Sequence, residues 1–116
     1  MRFEVEAREA GELGLWLREG EGRIGSSAEF LELLAACPAP TLALRREDLD
    51  ESFFELRSGL AGDCLQKVSN YRRRLAILGD FSAEGSRALR DFIRESNGTG
   101  QVVFATDLEA AAALLR

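Results

Sequence analysis

A chain of 116 residues with 46% hydrophobic content is long enough to bury one continuous core and too short for two ordinary domains, so residues 1–116 are expected to form a single domain. The 15 basic and 20 acidic side chains leave a net charge of −5, which disfavours nucleic acid and anionic lipid as principal partners. No apolar run approaches the roughly 20 residues needed to cross a bilayer, and Met1-Arg2-Phe3-Glu4 turns acidic too early for a signal peptide, so a cytoplasmic location without membrane attachment is expected.

Phe3, Val5 and Ala7 alternate with Arg2, Glu4 and Glu6, and Leu13, Leu15 and Leu17 alternate again after a turn containing Gly11. Both runs read as half-buried strands paired in a hairpin. Glu19 to Gly25 carries three glycines and no pattern. Ser26-Ser27-Ala28-Glu29 then offers a capping box, in which a serine oxygen and a glutamate satisfy free amides at a helix start. Phe30, Leu31, Leu33 and Leu34 continue that helix, and Pro38 with Pro40 ends it.

Thr41-Leu42-Ala43-Leu44, Leu75-Ala76-Ile77-Leu78 and Val102-Val103-Phe104-Ala105 are short runs with few polar atoms, suited to strands covered on both faces. Between the first two lies a helical stripe of Leu60, Ala61, Cys64, Leu65, Val68 and Tyr71, and between the second two a stripe of Ala88, Leu89, Phe92 and Ile93. The order β-α-β-α-β is that of parallel strands joined by crossover helices. Gly98-Thr99-Gly100 reads as a turn after a helix ending near Asn97. Thr106-Asp107-Leu108-Glu109 reads as a second capping box, followed by Ala111, Ala112 and Leu115 on a last helix that packs back on the sheet. The fold class is therefore α/β, with a mixed sheet of about five strands, an N-terminal hairpin and a C-terminal helix. Cys37 and Cys64 fall within apolar periodic segments, where buried thiols are expected rather than a disulfide.

In open α/β sheets, ligands and partners meet the loops beyond the carboxyl ends of the strands, where helix N-termini gather. That edge carries Arg45, Arg46, Glu47 and Asp48, then Gly79, Asp80, Phe81 and Ser82, then Thr106 and Asp107. Arg57 and Ser58 join it if Leu49 to Leu56 makes one short helical turn, which Ser52-x-x-Glu55 would cap. Ser58 before Gly59 is either an exposed hydroxyl at a helix N-terminus, suited to a phosphate or partner carboxylate, or a plain cap worth about 1 kcal/mol. Asp80 stands where many α/β proteins hold a functional carboxylate, and equally where an aspartate turns a loop. Glu47, Asp48, Asp50 and Glu51 lack the glycine and spacing of a calcium loop and read as a solvated acidic segment. Tyr71-Arg72-Arg73-Arg74 sits where a helix end favours cations, and Arg87, Arg90 and Arg94 form a basic stripe. A solvated face, or an acidic partner, accounts for either. Histidine is absent, which removes the commonest general acid/base, the usual serine and cysteine activators and the commonest transition-metal ligand. No metal or cofactor is expected.

The block Phe53 to Lys67, with Asn70-Tyr71-Arg72, Arg74 to Ser82, Ser86, Leu89-Arg90-Asp91-Phe92-Ile93 and Glu95-Ser96-Asn97, closely resembles the bacterial domain of unknown function 4180 family. That resemblance supplies a family and no established activity. More distantly, Leu42 to Leu60 looks like the STAS domain of sulfate transporters and anti-sigma factor antagonists, and the element order is similar to that fold. STAS antagonists carry Asp-Ser-Ser/Thr-Gly-Leu there, with the first hydroxyl phosphorylated. In this chain Leu56 stands at the aspartate and Arg57 at the phosphorylated position, leaving Ser58 before Gly59-Leu60. The resemblance thus implies a STAS-like, non-enzymatic regulatory module that docks a protein partner, rather than a phosphorylation switch. The expected contact surface is Arg57, Ser58, Asp80, Phe81 and Ser82, with Asp63 and Arg90 nearby. The rival expectation is a small-ligand binder or enzyme using Asp80 with Arg57 and Ser58, and a homodimer is a third.

Overall fold

The structure, a computed structural model, describes residues 2–6, 14–83 and 85–116. The predicted turn at Gly11, the end of the first strand at Ala7 and the start of the second at Leu13 lie outside these residues. Strands β1 (Arg2–Glu6), β2 (Leu15–Glu19), β3 (Thr41–Arg45), β4 (Arg74–Leu78) and β5 (Val102–Ala105) lie side by side in chain order. β1 runs antiparallel to β2, and β2, β3, β4 and β5 are parallel to one another. Helices α1 (Ser27–Ala36), α2 (Glu51–Phe54), α3 (Leu60–Asn70), α4 (Arg87–Thr99) and α5 (Leu108–Leu114) are joined by tight 3-10 turns at Arg46–Asp48 and Leu56–Ser58.

The register explains why the parallel strands are apolar throughout. Trp16, Leu42, Leu75 and Val102 form one row across the sheet, and Leu17, Ala43, Ala76 and Val103 form the next. Successive residues of a strand point to opposite faces, so the first row joins Phe30, Leu34, Leu60, Cys64, Val68 and Leu89 of α1, α3 and α4. The second row packs with Ala111 and Leu115 from the C-terminal segment on the opposite face. Both faces are covered, which is the condition for a parallel sheet. The radius of gyration is 12.9 Å, matching the roughly 13 Å of a compact domain of this length.

Several local expectations are corrected. The short turn after β3 forms, but its cap is Asp50 and not Ser52, because Ile24 bridges to Leu49 and Asp50 donates its N–H to the Ile24 carbonyl, fixing the helix start two residues earlier. At α5 the cap is Asp107, whose carboxylate accepts from the Ala110 N–H at 2.8 Å, while Thr106 is still leaving the sheet. α4 runs through Gly98 to Thr99 and stops where Gly100 takes the left-handed conformation at φ 73°. Tyr71 is 56% exposed: it caps α3, and Arg72 at φ 54° turns the chain off the apolar stripe. Arg74 belongs to β4 and not to the helix end. At the start of α1 the expected serine cap forms, with Ser26 Oγ accepting from the Glu29 N–H and the Glu29 carboxylate taking the Gly25 N–H. Cys37 and Cys64 are buried free thiols.

Candidate functional site

The turns that follow β3 and β4 meet at the carboxyl edge of the sheet. A side chain on Gly79 would place its Cβ 2.9 Å from the Cβ of Arg46, so the missing side chain lets the two turns close on one another. Arg46 then lays its guanidinium over the ring of Phe54 at 4.2 Å and within 5.3 Å of the ring of Phe81. Cations held over aromatic faces gain about 0.5–1 kcal/mol or more as water is excluded. Phe81 packs edge-on against Phe104 at 5.4 Å, and Phe104 against Phe92 at 6.1 Å, so the loop after β4 is tied through aromatic contacts to β5 and α4.

Beyond Arg46 and Phe54 opens a cleft of about 730 Å³. Its apolar lining is Phe54, Leu56 and Ala88, and its polar lining is Arg46, Arg57, Ser58, Ser86, Glu51 and Glu55. Arg57 is exposed and makes no hydrogen bond or ion pair among the described residues. The hydroxyls are already employed. Ser58 donates to the Ser52 carbonyl and accepts from the Leu60 N–H at 3.2 Å, and Ser86 accepts from the Leu89 N–H at 3.2 Å as the cap of α4. Gly59 takes φ 79° between the Leu56–Ser58 turn and α3, a conformation that costs other residues strain.

Residues 14–115 match the family model for a domain of unknown function, DUF4180. The chain belongs to the DUF4180 family. No curated protein and no solved structure matches this DUF4180 chain.

Of the residues expected at the contact surface in this DUF4180 domain, Arg57 and Ser58 line the cleft. Phe81 lies in the aromatic contacts beneath it. Asp80 and Ser82 are exposed but occupied by each other: Asp80 Oδ1 accepts from the Ser82 N–H at 3.0 Å and from Ser82 Oγ at 2.6 Å. The Ser82 hydroxyl and then its amide hold the Asp80 carboxyl below the ordinary aspartate range, so it stays ionised. Asp63 is exposed in the first turn of α3, and Arg90 is exposed on α4; neither lines the cleft. Arg87 and Arg94 of the predicted basic stripe both face Asp91, at 4.0 and 2.9 Å, on the exposed side of the helix.

The acidic segment after β3 departs from the solvated segment that its sequence suggests, since it is not wholly solvated. Asp48 is buried, where its carboxylate accepts from Arg18 at 3.0 Å and from the Arg45 N–H at 2.9 Å. Arg18, itself 4% exposed, also donates to the Gly22 and Glu21 carbonyls. One guanidinium thereby anchors the patternless stretch after β2 to the turn after β3. Arg18 on β2 and Asp48 are thirty positions apart, and no local periodicity joins them. Among the described residues, no three histidine, cysteine, aspartate or glutamate side chains converge as a metal centre requires. No described helix is long and apolar enough to cross a membrane.

Proposed function

We propose that this chain is a non-enzymatic interaction module that docks a protein segment in the cleft between the turn after β3, the Leu56–Ser58 turn and the start of α4. One observation carries the reading: an exposed Arg57 stands beside an apolar floor of Phe54, Leu56 and Ala88, while the neighbouring hydroxyls are taken up by backbone groups, Ser86 as the cap of α4 and Ser58 between the Ser52 carbonyl and the Leu60 N–H. A cation over apolar surface fits a partner that presents a carboxylate next to a hydrophobic side chain. The distant likeness of Leu42 to Leu60 to STAS domains supports a regulatory role, and Arg57 at the phosphorylated position favours docking over phosphorylation. The rival reading of a ligand-binding enzyme has less support, since Asp80 does not line the cleft and its carboxylate is held by Ser82.

The test is affinity capture with the wild-type chain and with Arg57→Glu, followed by titration of the captured protein against both. Charge reversal is expected to weaken a docked acidic segment about tenfold or more. Equal affinity for both forms sinks the reading. A mass that doubles with concentration in light scattering, and falls for Arg57→Glu, would instead identify the partner as a second copy.

A further inference from the structure

The opposite end of the sheet carries a second, independent feature. A hollow of about 290 Å³ lies where β4 begins and β5 is about to begin, lined by Ser69, Arg72, Arg73, Arg74, Thr99, Gly100, Gln101 and Arg116, with no acidic side chain in its lining. Gathering four arginines in a chain of net charge −5 opposes their mutual repulsion, and the fold spends specific geometry to do it. Arg72 adopts φ 54°, a conformation that non-glycine residues rarely hold unless their surroundings impose it. The imposing bonds are Arg72 N–H to the Ser69 carbonyl at 3.1 Å and Arg73 N–H to the Val68 carbonyl at 3.0 Å. Arg116 is fixed by its N–H to the Gly100 carbonyl at 3.0 Å, and its stem lies so close that a Cβ on Gly100 would meet it at 2.6 Å.

The arginines are not equivalent. Arg73 donates to the Cys37 and Ala39 carbonyls, both at 2.9 Å, and Arg74 Nε donates to the main-chain oxygen of Arg116. The guanidiniums of Arg72 and Arg116 make no hydrogen bond or ion pair among the described residues. Gln101 and Thr99 close the wall: Thr99 Oγ1 donates to the Ser96 carbonyl and accepts from the Gln101 N–H. Arginine forks match the tetrahedral oxygens of phosphate, and a lining with four guanidiniums and no Asp or Glu side chain favours an anion of more than one charge, although Arg74 is already engaged by the main-chain oxygen of Arg116.

We infer that this hollow is a binding site for a small phosphate-bearing molecule, with Arg72 and Arg116 as its principal contacts and Arg74 beside them. The volume of about 290 Å³ falls just below the roughly 300–1,000 Å³ typical of small-molecule sites, which suits a phosphate group with at most a small substituent. The site is separate from the cleft at Arg57, so either reading stands or falls alone.

Inorganic pyrophosphate is the probe, titrated calorimetrically into the full chain at fixed ionic strength with sodium acetate as the control anion. Saturable binding of pyrophosphate is expected, with amide resonances shifting at Ser69, Arg72 to Arg74 and Thr99 to Gln101. Arg72→Glu, an exposed change that relieves repulsion among the arginines, should not lower the melting temperature of the free chain, yet should weaken binding about tenfold or more. Arg116→Ser should weaken it as well, and Arg57→Glu should not. The inference is overturned if acetate competes equally, if the shifts cluster at Ser86 to Ala88, or if both arginine variants bind like the wild type.

Discussion

Cys64 shows what a buried position does to one side chain's chemistry. It is fully buried on the inward stripe of α3, and burial pushes its thiol up to about 12, with the Asp63 charge adding and Lys67 opposing. Cys37 is raised too, again by burial first, although the Ala39 carbonyl contact and Arg73 pull the other way. Thiolate is the reactive form, so burial and the raised thiol pKa values disfavour reaction at both sulfurs while the chain is folded. The unfolded thiol ionises near 8.5, below the folded value, so the folded state holds a proton that the unfolded state releases. The contribution is therefore fully present below about pH 8.5 and is lost as pH rises toward the folded value of about 12. Native chain should resist a thiol reagent at pH 8 until denaturant unfolds it, and the urea midpoint should fall between pH 8.5 and 10.5. Cys64→Ala should flatten much of that fall. Rapid labelling of native protein, or a midpoint independent of pH, would contradict this account.

At the scale of single elements, local rules placed the start of α1, and tertiary contacts moved those of α2 and α5. The cap at Ser26 follows from short-range geometry that a sequence carries, since its hydroxyl reaches an amide three residues on; Ser86 caps α4 in the same way, though no cap is predicted there. Asp50 and Asp107 displaced Ser52 and Thr106 because the preceding residues were already committed elsewhere, to the Ile24 bridge in one case and to the departure from β5 in the other. The apolar strands and their parallel order were legible because covered strands need unbroken hydrophobic runs. The candidate site was legible only in part. Arg57 and Ser58 could be placed by counting from β3, but the stacking of Arg46 on Phe54 and Phe81 depends on two turns meeting at Gly79, far apart in the chain. The ion pair of Arg18 with Asp48 was hidden for the same reason. The corrected cap gives a direct check. Asp107→Ala should cost about 1 kcal/mol in denaturant unfolding, whereas Thr106→Ala should stay within about 0.5 kcal/mol, as exposed changes do. Equal losses would return the cap to Thr106.

For the whole molecule, the two faces of the sheet are built differently, and that difference fixes how closely each layer approaches. The face under α1, α3 and α4 is filled by Phe30, Phe53, Leu34, Leu42, Leu75 and Ile77, all nearly inaccessible to solvent. The face under α5 is floored by Ala43, Ala76 and Val103, with Ala111 set against them. Small residues on both sides let a short helix sit close to the strands, and closely packed interiors leave no room for added methylenes. α5 spans only Leu108–Leu114, so it cannot tilt far without losing the Leu115 contact and the Arg116 bond to Gly100. Ala111→Leu should therefore lower stability by about 1–3 kcal/mol through overpacking, even though leucine is a good helix former. Ala113→Leu, on the exposed side of the same helix, should change stability by less than about 0.5 kcal/mol. Urea unfolding of the pair decides it: a lower midpoint at unchanged slope for Ala111→Leu alone is expected, and matching midpoints would mean that α5 is held less closely against the sheet than its alanines imply.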